Sequence, residues 1–483
     1  MELTKKKKSI SERDLTTGNL FWKIPLFALP MAFSTILQLL FSTVDLFTVA
    51  NFGGGSNSMS AIGSNTALIN LVVTVFVSMT LGSNVAIGNA RGSNNKEQAH
   101  RIMGNSYFLA IVTGILVAIV GYFRTPVLLN WRNTPADILQ NSITYLHIYF
   151  IGMPFLMIYD FGSQLRMGLG DSRRPLYVLA SSGVINIVAD LLFVIYGKRD
   201  VAGVAYATVL SEALSAILVT VILYFNKKGF ARLTFSEIKP DRKTIEEILK
   251  IGIPSGIQGL GFGIPNVLIQ SSLYTIHGLT LGGVVISDDE IVAGSAASNT
   301  IENYIFALCD ACASACISFV GQNFGAKKKE NIKKVFWYSQ IWMRIFTLTA
   351  SFFSMVFSKQ LLQVFLTKTQ EGEVVNQESA ILAGQERRKI RITSQVLDGF
   401  RVVDSNYLRG RKHSVSPAVI ILLGVTGSRI LFLYTLFPLD FFHTIFWLFA
   451  TFPISWVIVC LIYIPVILHR QKESFAAMDA QAA

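Results

Sequence analysis

The chain has 483 residues, of which 52% are hydrophobic and only 15% charged, and its mean hydropathy is +0.49. Soluble domains carry about 25% charged residues, so this composition excludes an ordinary soluble protein. The net charge of +12 raises nucleic acid as a partner, but no compact basic domain or recognition motif accompanies it, and no nucleic-acid partner is expected.

The first residues, MELTKKKKSISERD, are polar and basic without an apolar signal-peptide core. The first helix is therefore expected to remain as a span. Apolar stretches long enough to cross a bilayer then recur at 22–50, 58–90, 97–124, 136–165, 174–197, 200–226, 248–277, 291–322, 332–357, 390–410, 416–438 and 441–468. The tenth, containing ITSQVLDGFRVVDSNYLRG, is unusually polar. Of 42 Lys and Arg, counting those toward a span's edge with the adjoining loop, 28 fall in the termini and in loops after even-numbered spans, 10 in loops after odd-numbered spans and 4 within spans. By the positive-inside rule both termini face the cytoplasm. Six of the ten outer charges sit in a long loop at 359–391.

Two blocks recur. IGNARGSNNKE (87–97) follows span two and VGQNFGAKKKE (320–330) follows span eight, with Gly88/Gly321, Gly92/Gly325, Lys96/Lys329 and Glu97/Glu330 at an offset of 233. MGLGDSRRP (167–175) follows span four and RGRKHSVSP (409–417) follows span ten, with Gly168/Gly410, Ser172/Ser414 and Pro175/Pro417 at an offset of 242. The predicted fold is an all-α membrane protein of twelve transmembrane helices in two pseudo-two-fold-related six-helix lobes. Its divisions are an N-terminal tail (1–21), a first lobe (22–226), a basic linker (227–247), a second lobe (248–468) and a C-terminal tail (469–483). Six spans return the chain to its starting side, so the lobes share an orientation, as in transporters built from parallel repeats. No Walker-type motif appears, so an ion gradient would have to supply the energy.

Polar residues mark the first lobe. Asn186 and Asp190 stand four apart on one face of span five. Asp190 lies roughly 9 Å below the outer boundary at 1.5 Å per residue. Asp45 in span one and Thr208 in span six lie at a similar depth. Two carboxylates close together in a low dielectric are relieved by a bound cation or proton. Oxygens of Asp45, Asn186, Asp190 and Thr208 suit Na⁺, whereas the carboxylates alone suit H⁺. Glu212 stands one turn beyond Thr208 on the same face. Interhelical hydrogen bonding is the plainer alternative for all of these groups. Cys309, Cys312 and Cys316 share a helix face in ALCDACASAC, where close helix packing is favoured over a metal site. The histidines His100, His147, His277, His413, His443 and His469 are scattered without ligand spacing, and no enzymatic constellation is found. Arg429 in span eleven is expected to pair with one of the two acids of span eight, Glu302 or Asp310.

These pieces, in order, resemble the multidrug and toxic compound extrusion (MATE) family. They include ALPMAFSTILQLLFSTVDLF, GNARGSNNKEQA, YLHIYFIGMPF, LRMGLGDSRRP, GVINIVADLLF and GVAYATVLSE, then IGIPSGIQ, FVGQNFGAKKKE, YLRGRKHSVSP and RILFLYTLFP. The resemblance implies a cation-coupled antiporter, driven by Na⁺ or H⁺ and without a cofactor, that exports cationic or amphipathic small molecules across the plasma membrane as a monomer. It implies that Asp45, Asn186, Asp190 and Thr208 form the cation site, and that Pro25 and Pro30 localise bending of the first helix. Asp398 matches an acidic position of some members, although Arg401 and Asp404 beside it also suit a local ion-pair cluster. GRKHS replaces the usual glycine-rich turn after span ten. A lipid-linked precursor flippase of the same broad superfamily is the alternative reading.

Overall fold

Asn19 caps the first helix, its side-chain oxygen accepting from the Phe21 amide at 3.1 Å. The computed structural model describes residues 12–131, 134–227, 229–276, 279–281, 284–366 and 376–480. Helix α1 (Leu20–Phe52) continues through both prolines. It is followed by α2 (Ser56–Met79), α3 (Leu81–Gly92), α4 (Lys96–Trp131), α5 (Ala136–Gly168), α6 (Arg173–Leu191) and α7 (Asp200–Tyr224). The second half contains α8 (Arg242–Ser272), α9 (Asp288–Gly325), α10 (Lys329–Val356), α11 (Ser358–Leu366), α12 (Gln377–Arg391), α13 (Gln395–Gly410), α14 (Val415–Ile421), α15 (Ser428–Thr435) and α16 (Ile445–Ala480). Helices α2 with α3, α10 with α11, α12 with α13 and α14 with α15 form composite tracts, so the described residues give twelve tracts at the twelve predicted positions. Nine are long and apolar enough to cross a membrane, or ten when α10 and α11, bent by 76°, count as one span. Large apolar side chains along α4, such as Leu116, Ile119, Val120 and Phe123, remain exposed, as a lipid-facing surface requires.

Strands β1 (Leu279–Leu281) and β2 (Val284–Ile286) pair antiparallel before α9, a short hairpin in an otherwise helical fold. Two expectations need correction. The segment expected as an outer loop at 359–391 is largely α11 and α12, and its residues 367–375 lie outside the described residues. Arg387, Arg388 and Arg391 of α12 are buried rather than loop charges; taking them from the outer loops sharpens the charge bias. The helix α16 also runs on over residues expected as a tail.

The chain packs into two compact units. One comprises the residues up to Gly256 together with Ile317–Lys333, and the other comprises Ile257–Cys316 with the residues from Lys334 onward. In the first unit the repeat glycines meet. A Cβ on Gly92 would overlap the Gln322 carbonyl, and one on Gly325 would overlap the Asn89 carbonyl. The G-x-x-x-G spacing thus lets α3 and the end of α9 cross with their backbones in contact. Residues before α1 are pinned to the same unit. Glu12 accepts from Arg91 Nη1 (3.0 Å), Arg166 Nη1 (3.2 Å), Asn226 Nδ2 (2.6 Å) and the Phe230 amide (2.8 Å).

The repeat extends to the turns that end these helices. Asn94 and Lys327 both have φ 55°, while Gly170 and Lys412 have φ 88° and 68°; each stands two residues past the end of α3, α9, α5 or α13. Each is followed by an amide that reaches back five residues: Asn95 to Ala90, Lys328 to Asn323 and Asp171 to Arg166 at 2.9 Å, and His413 to Leu408 at 3.0 Å. These are left-handed helix caps of one kind. The second-half turn keeps its shape without glycine, with Lys412 in the left-handed region. That conformation costs a non-glycine residue roughly 1–2 kcal/mol, part of which glycine's greater unfolded-state entropy offsets. Lys412→Gly is therefore expected to raise stability by up to about 1 kcal/mol. A thermal melt in detergent that falls instead would show that the lysine side chain, not the turn, matters there.

Candidate functional site

Helix periodicity places Asn186 and Asp190 on one face of α6, and both are buried. A Cβ on Gly183 would overlap the Phe41 ring, so the glycine lets α1 seat closely one turn before Asp45. Ser215 Oγ donates to Ser182 Oγ at 2.7 Å and fastens α7 to α6. The result brings Asp190, Asn186 and Thr208 against the Asp45 carboxyl. Thr208 Oγ1 donates to the Val204 carbonyl at 3.0 Å, which leaves its lone pairs free to accept. Directly after Asp190 the helix widens into a π turn, Leu192–Tyr196, a feature frequent at functional sites.

These groups adjoin a cavity of about 480 Å³ inside the first unit. Asp45, Asn186 and Thr208 line it together with Glu212 and Asp160, and its lining holds no lysine, arginine or histidine. Asp45 Oδ1, Asn186 Oδ1, both Asp190 carboxylate oxygens, Asp160 Oδ2 and Glu212 Oε2 are buried without a hydrogen-bond partner. Glu212, read as an extension of the cluster, therefore shares its cavity. Sequence reading missed Asp160, although an acid inside the apolar MIYDFGS stretch was itself the signal.

The second unit treats its acids differently. Asp398, the other additional polar residue expected, accepts from Arg401 Nε at 2.8 Å one helical turn away. Asp404 accepts from Gln340 Nε2 at 2.8 Å. Glu302 does not pair with Arg429 as expected. It accepts from Arg387 Nε and Arg391 Nε, each at 2.9 Å, because the buried face of α12 carries both arginines against α9. Arg429 bonds Ser455 and Asn266 instead. The three neighbouring cysteines are buried and free. Among the described residues no group of three or more His, Cys, Asp or Glu is placed to hold a metal ion. His147 stacks on Tyr122 with ring centroids 4.1 Å apart, His443 lies 2.8 Å from the Thr275 carbonyl, and His277 lies outside the described residues.

A family model described as MatE matches the chain twice, over residues 30–192 and 264–435. The chain belongs to the MATE family. The two matches begin 234 residues apart and end 243 apart, the same nine-residue gain that separates the two sequence repeats. The chain is 26% identical over 421 residues to the probable multidrug resistance protein YoeA of Bacillus subtilis, covering 85% of each chain. It is 25% identical over 412 residues to the probable multidrug resistance protein NorM of Thermotoga maritima, covering 83% of this chain and 82% of that one. Among solved structures, MATE in complex with MaL6 matches with a TM-score of 0.82 at 19% identity. An outward-facing multidrug resistance MATE transporter of the MOP superfamily matches with 0.81 at 20%. Both cover 96% of this chain and 98% of the other. The fold is thus that of a twelve-span helical membrane transporter.

Proposed function

We propose that this MATE protein is a cation-coupled antiporter that exports amphipathic small molecules, with Asp45, Asn186, Asp190 and Thr208 as its cation site. The observation that carries the reading is the acidic cavity of the first unit, where buried carboxylate oxygens have no hydrogen-bond partner and the lining has no cationic side chain. Acids packed this way in low dielectric repel one another unless a positive ion or protons join them. Cation entry on one side of the membrane and cargo release on that side are coupled when each ligand favours a different conformation. The neutral oxygens of Asn186 and Thr208 bind a metal ion but take up no proton, which favours Na⁺ over H⁺. Family membership and the names of the relatives support efflux of drug-like cargo. The charge bias of the connections supports cytoplasmic termini in the plasma membrane. Division of the chain into six-span lobes at 22–226 and 248–468 belongs to the same reading, as does a monomeric transporter without enzymatic activity.

Proteoliposomes test it. Ethidium efflux is expected when a Na⁺ gradient is imposed at constant pH, and none is expected when no gradient is present. Efflux that follows a pH gradient alone would reassign the coupling ion to H⁺. Equal efflux with and without either gradient would refute the antiport mechanism.

A further inference from the structure

The buried charge of the second unit has the opposite sign. Arg387, Arg391, Arg401 and Arg429 are each at least nine-tenths buried. Glu302 is divided between Arg387 and Arg391, and Asp398 pairs with Arg401, on which Asp310 and Asp404 also act. Among the described residues none of these carboxylates forms an ion pair with Arg429, so positive charge is in excess around Arg429 and Arg391. Arg429 Nε donates to Ser455 Oγ at 3.0 Å and Nη1 to Asn266 Oδ1 at 3.1 Å, both neutral. Arg391, Arg401 and Asp398 are its charged neighbours.

The geometry draws like charges together. The Arg391 and Arg429 guanidinium carbons lie 3.7 and 4.1 Å from the centroid of the same Phe452 ring, so they are no more than 7.8 Å apart, the sum of those distances. Arg401 lies over Phe262 at 4.1 Å. Aromatic faces attract guanidinium groups but do not cancel their charge. Arg391 Nη1 is buried without a hydrogen-bond partner. Asn266 is exposed, so the Arg429 end of the cluster reaches the surface of this unit. Tying α12 to α9 accounts for Arg387 and for one edge of Arg391. It does not account for Arg429, an intramembrane arginine with neutral partners, and such residues mark functional sites.

We propose that Arg391, Arg401 and Arg429 bind the anionic group, a phosphate or a carboxylate, of an amphiphilic cargo, with Phe262 and Phe452 beside its apolar part. Guanidinium donors match both groups in bidentate geometry. The cargo then includes anionic or zwitterionic amphiphiles as well as organic cations. The inference rests on the export reading for the movement of that cargo, but not for its binding.

The purified full-length chain in nanodiscs of zwitterionic lipid is titrated with 1-naphthyl phosphate and with 1-naphthoate. No gradient is imposed, so the result does not depend on the coupling site. Saturable binding of at least one anion is expected. Asn266→Asp places an isosteric carboxylate on Arg429 and is expected to weaken that binding at least tenfold, with a melting temperature equal to or above the wild type. Arg429→Gln, which keeps donors toward Ser455 and Asn266, is expected to show the same loss. Loss of 1-naphthyl phosphate binding in nanodiscs containing phosphatidic acid would support the site and assign it to lipid-borne phosphates. Retained binding there would support it for soluble anions. Absence of saturable anion binding, or equal binding by wild type and Asn266→Asp, overturns the proposal, because a purely structural arginine cluster predicts no such loss.

Discussion

Asp190→Asn is expected to lower gradient-driven export by about 100-fold, the upper range of coupling between two ligand sites, while the protein should still insert and purify as a monodisperse species. The substitution keeps the shape of the side chain and removes one charge. Asp190 is buried, with no hydrogen bond to either carboxylate oxygen, and it faces Asp45. Losing the charge therefore relieves repulsion with Asp45 in the empty site. In the proposed mechanism the loaded site loses one of the two charges that would hold the cation. Initial rates of efflux from proteoliposomes under an imposed gradient measure the effect. Asp45→Asn should behave the same way. Export at the wild-type rate by Asp190→Asn would remove Asp190 from the coupling mechanism, and a protein that fails to assemble would make its role structural.

Glu302→Ala is expected to lower stability by about 3–5 kcal/mol, the usual cost of removing one partner of a buried ion pair. One carboxylate serves two arginines, both largely buried. Without it, Arg387 keeps Ser295 Oγ at 2.7 Å and Asn299 Oδ1 at 2.8 Å. Arg391 keeps the faces of Phe452 and Trp456, and its other charged neighbour of opposite sign, Asp398, is already paired with Arg401. Thermal unfolding in detergent should begin roughly 10 °C lower, at about 2–4 °C per kcal/mol for larger domains. Glu302→Gln, which still accepts one hydrogen bond, should lie between the two. An unchanged melting temperature for Glu302→Ala would mean that water already satisfies these arginines.

Much of this organisation was legible because it is local. Twelve tracts fall where runs of apolar residues placed them, since a helix in hydrocarbon satisfies its own backbone and needs only an apolar exterior. The repeat was legible because Gly92 and Gly325 each occupy a contact that no side chain fits. The fourth turn was matched through Gly168/Gly410, Ser172/Ser414 and Pro175/Pro417, and the backbone angles add that Lys412 takes the left-handed place of Gly170. Asn186 and Asp190 stood out by their spacing on α6, and Asp45 and Thr208 by depth, and the structure brings these four side chains together. Asp160 was overlooked because nothing in its own span pairs with it at helical spacing. The polar tract of α12 and α13 was read partly as a loop, since its arginines look like surface charge until their buried partners are known.

The sequence by itself determined the class of protein, the number of helical tracts, the two repeats and the acidic face of the first half, because hydropathy and helical period act over a few residues at a time. Only the tertiary structure decided which charges remain without partners. It gave Glu302 to Arg387 and Arg391 rather than to Arg429, gave Asp398 to Arg401, and left the acids around Asp45 facing a cavity. Long charged side chains take whichever partner helix packing brings within about 3 Å, and that proximity is a property of the assembled helices that no stretch of sequence carries alone.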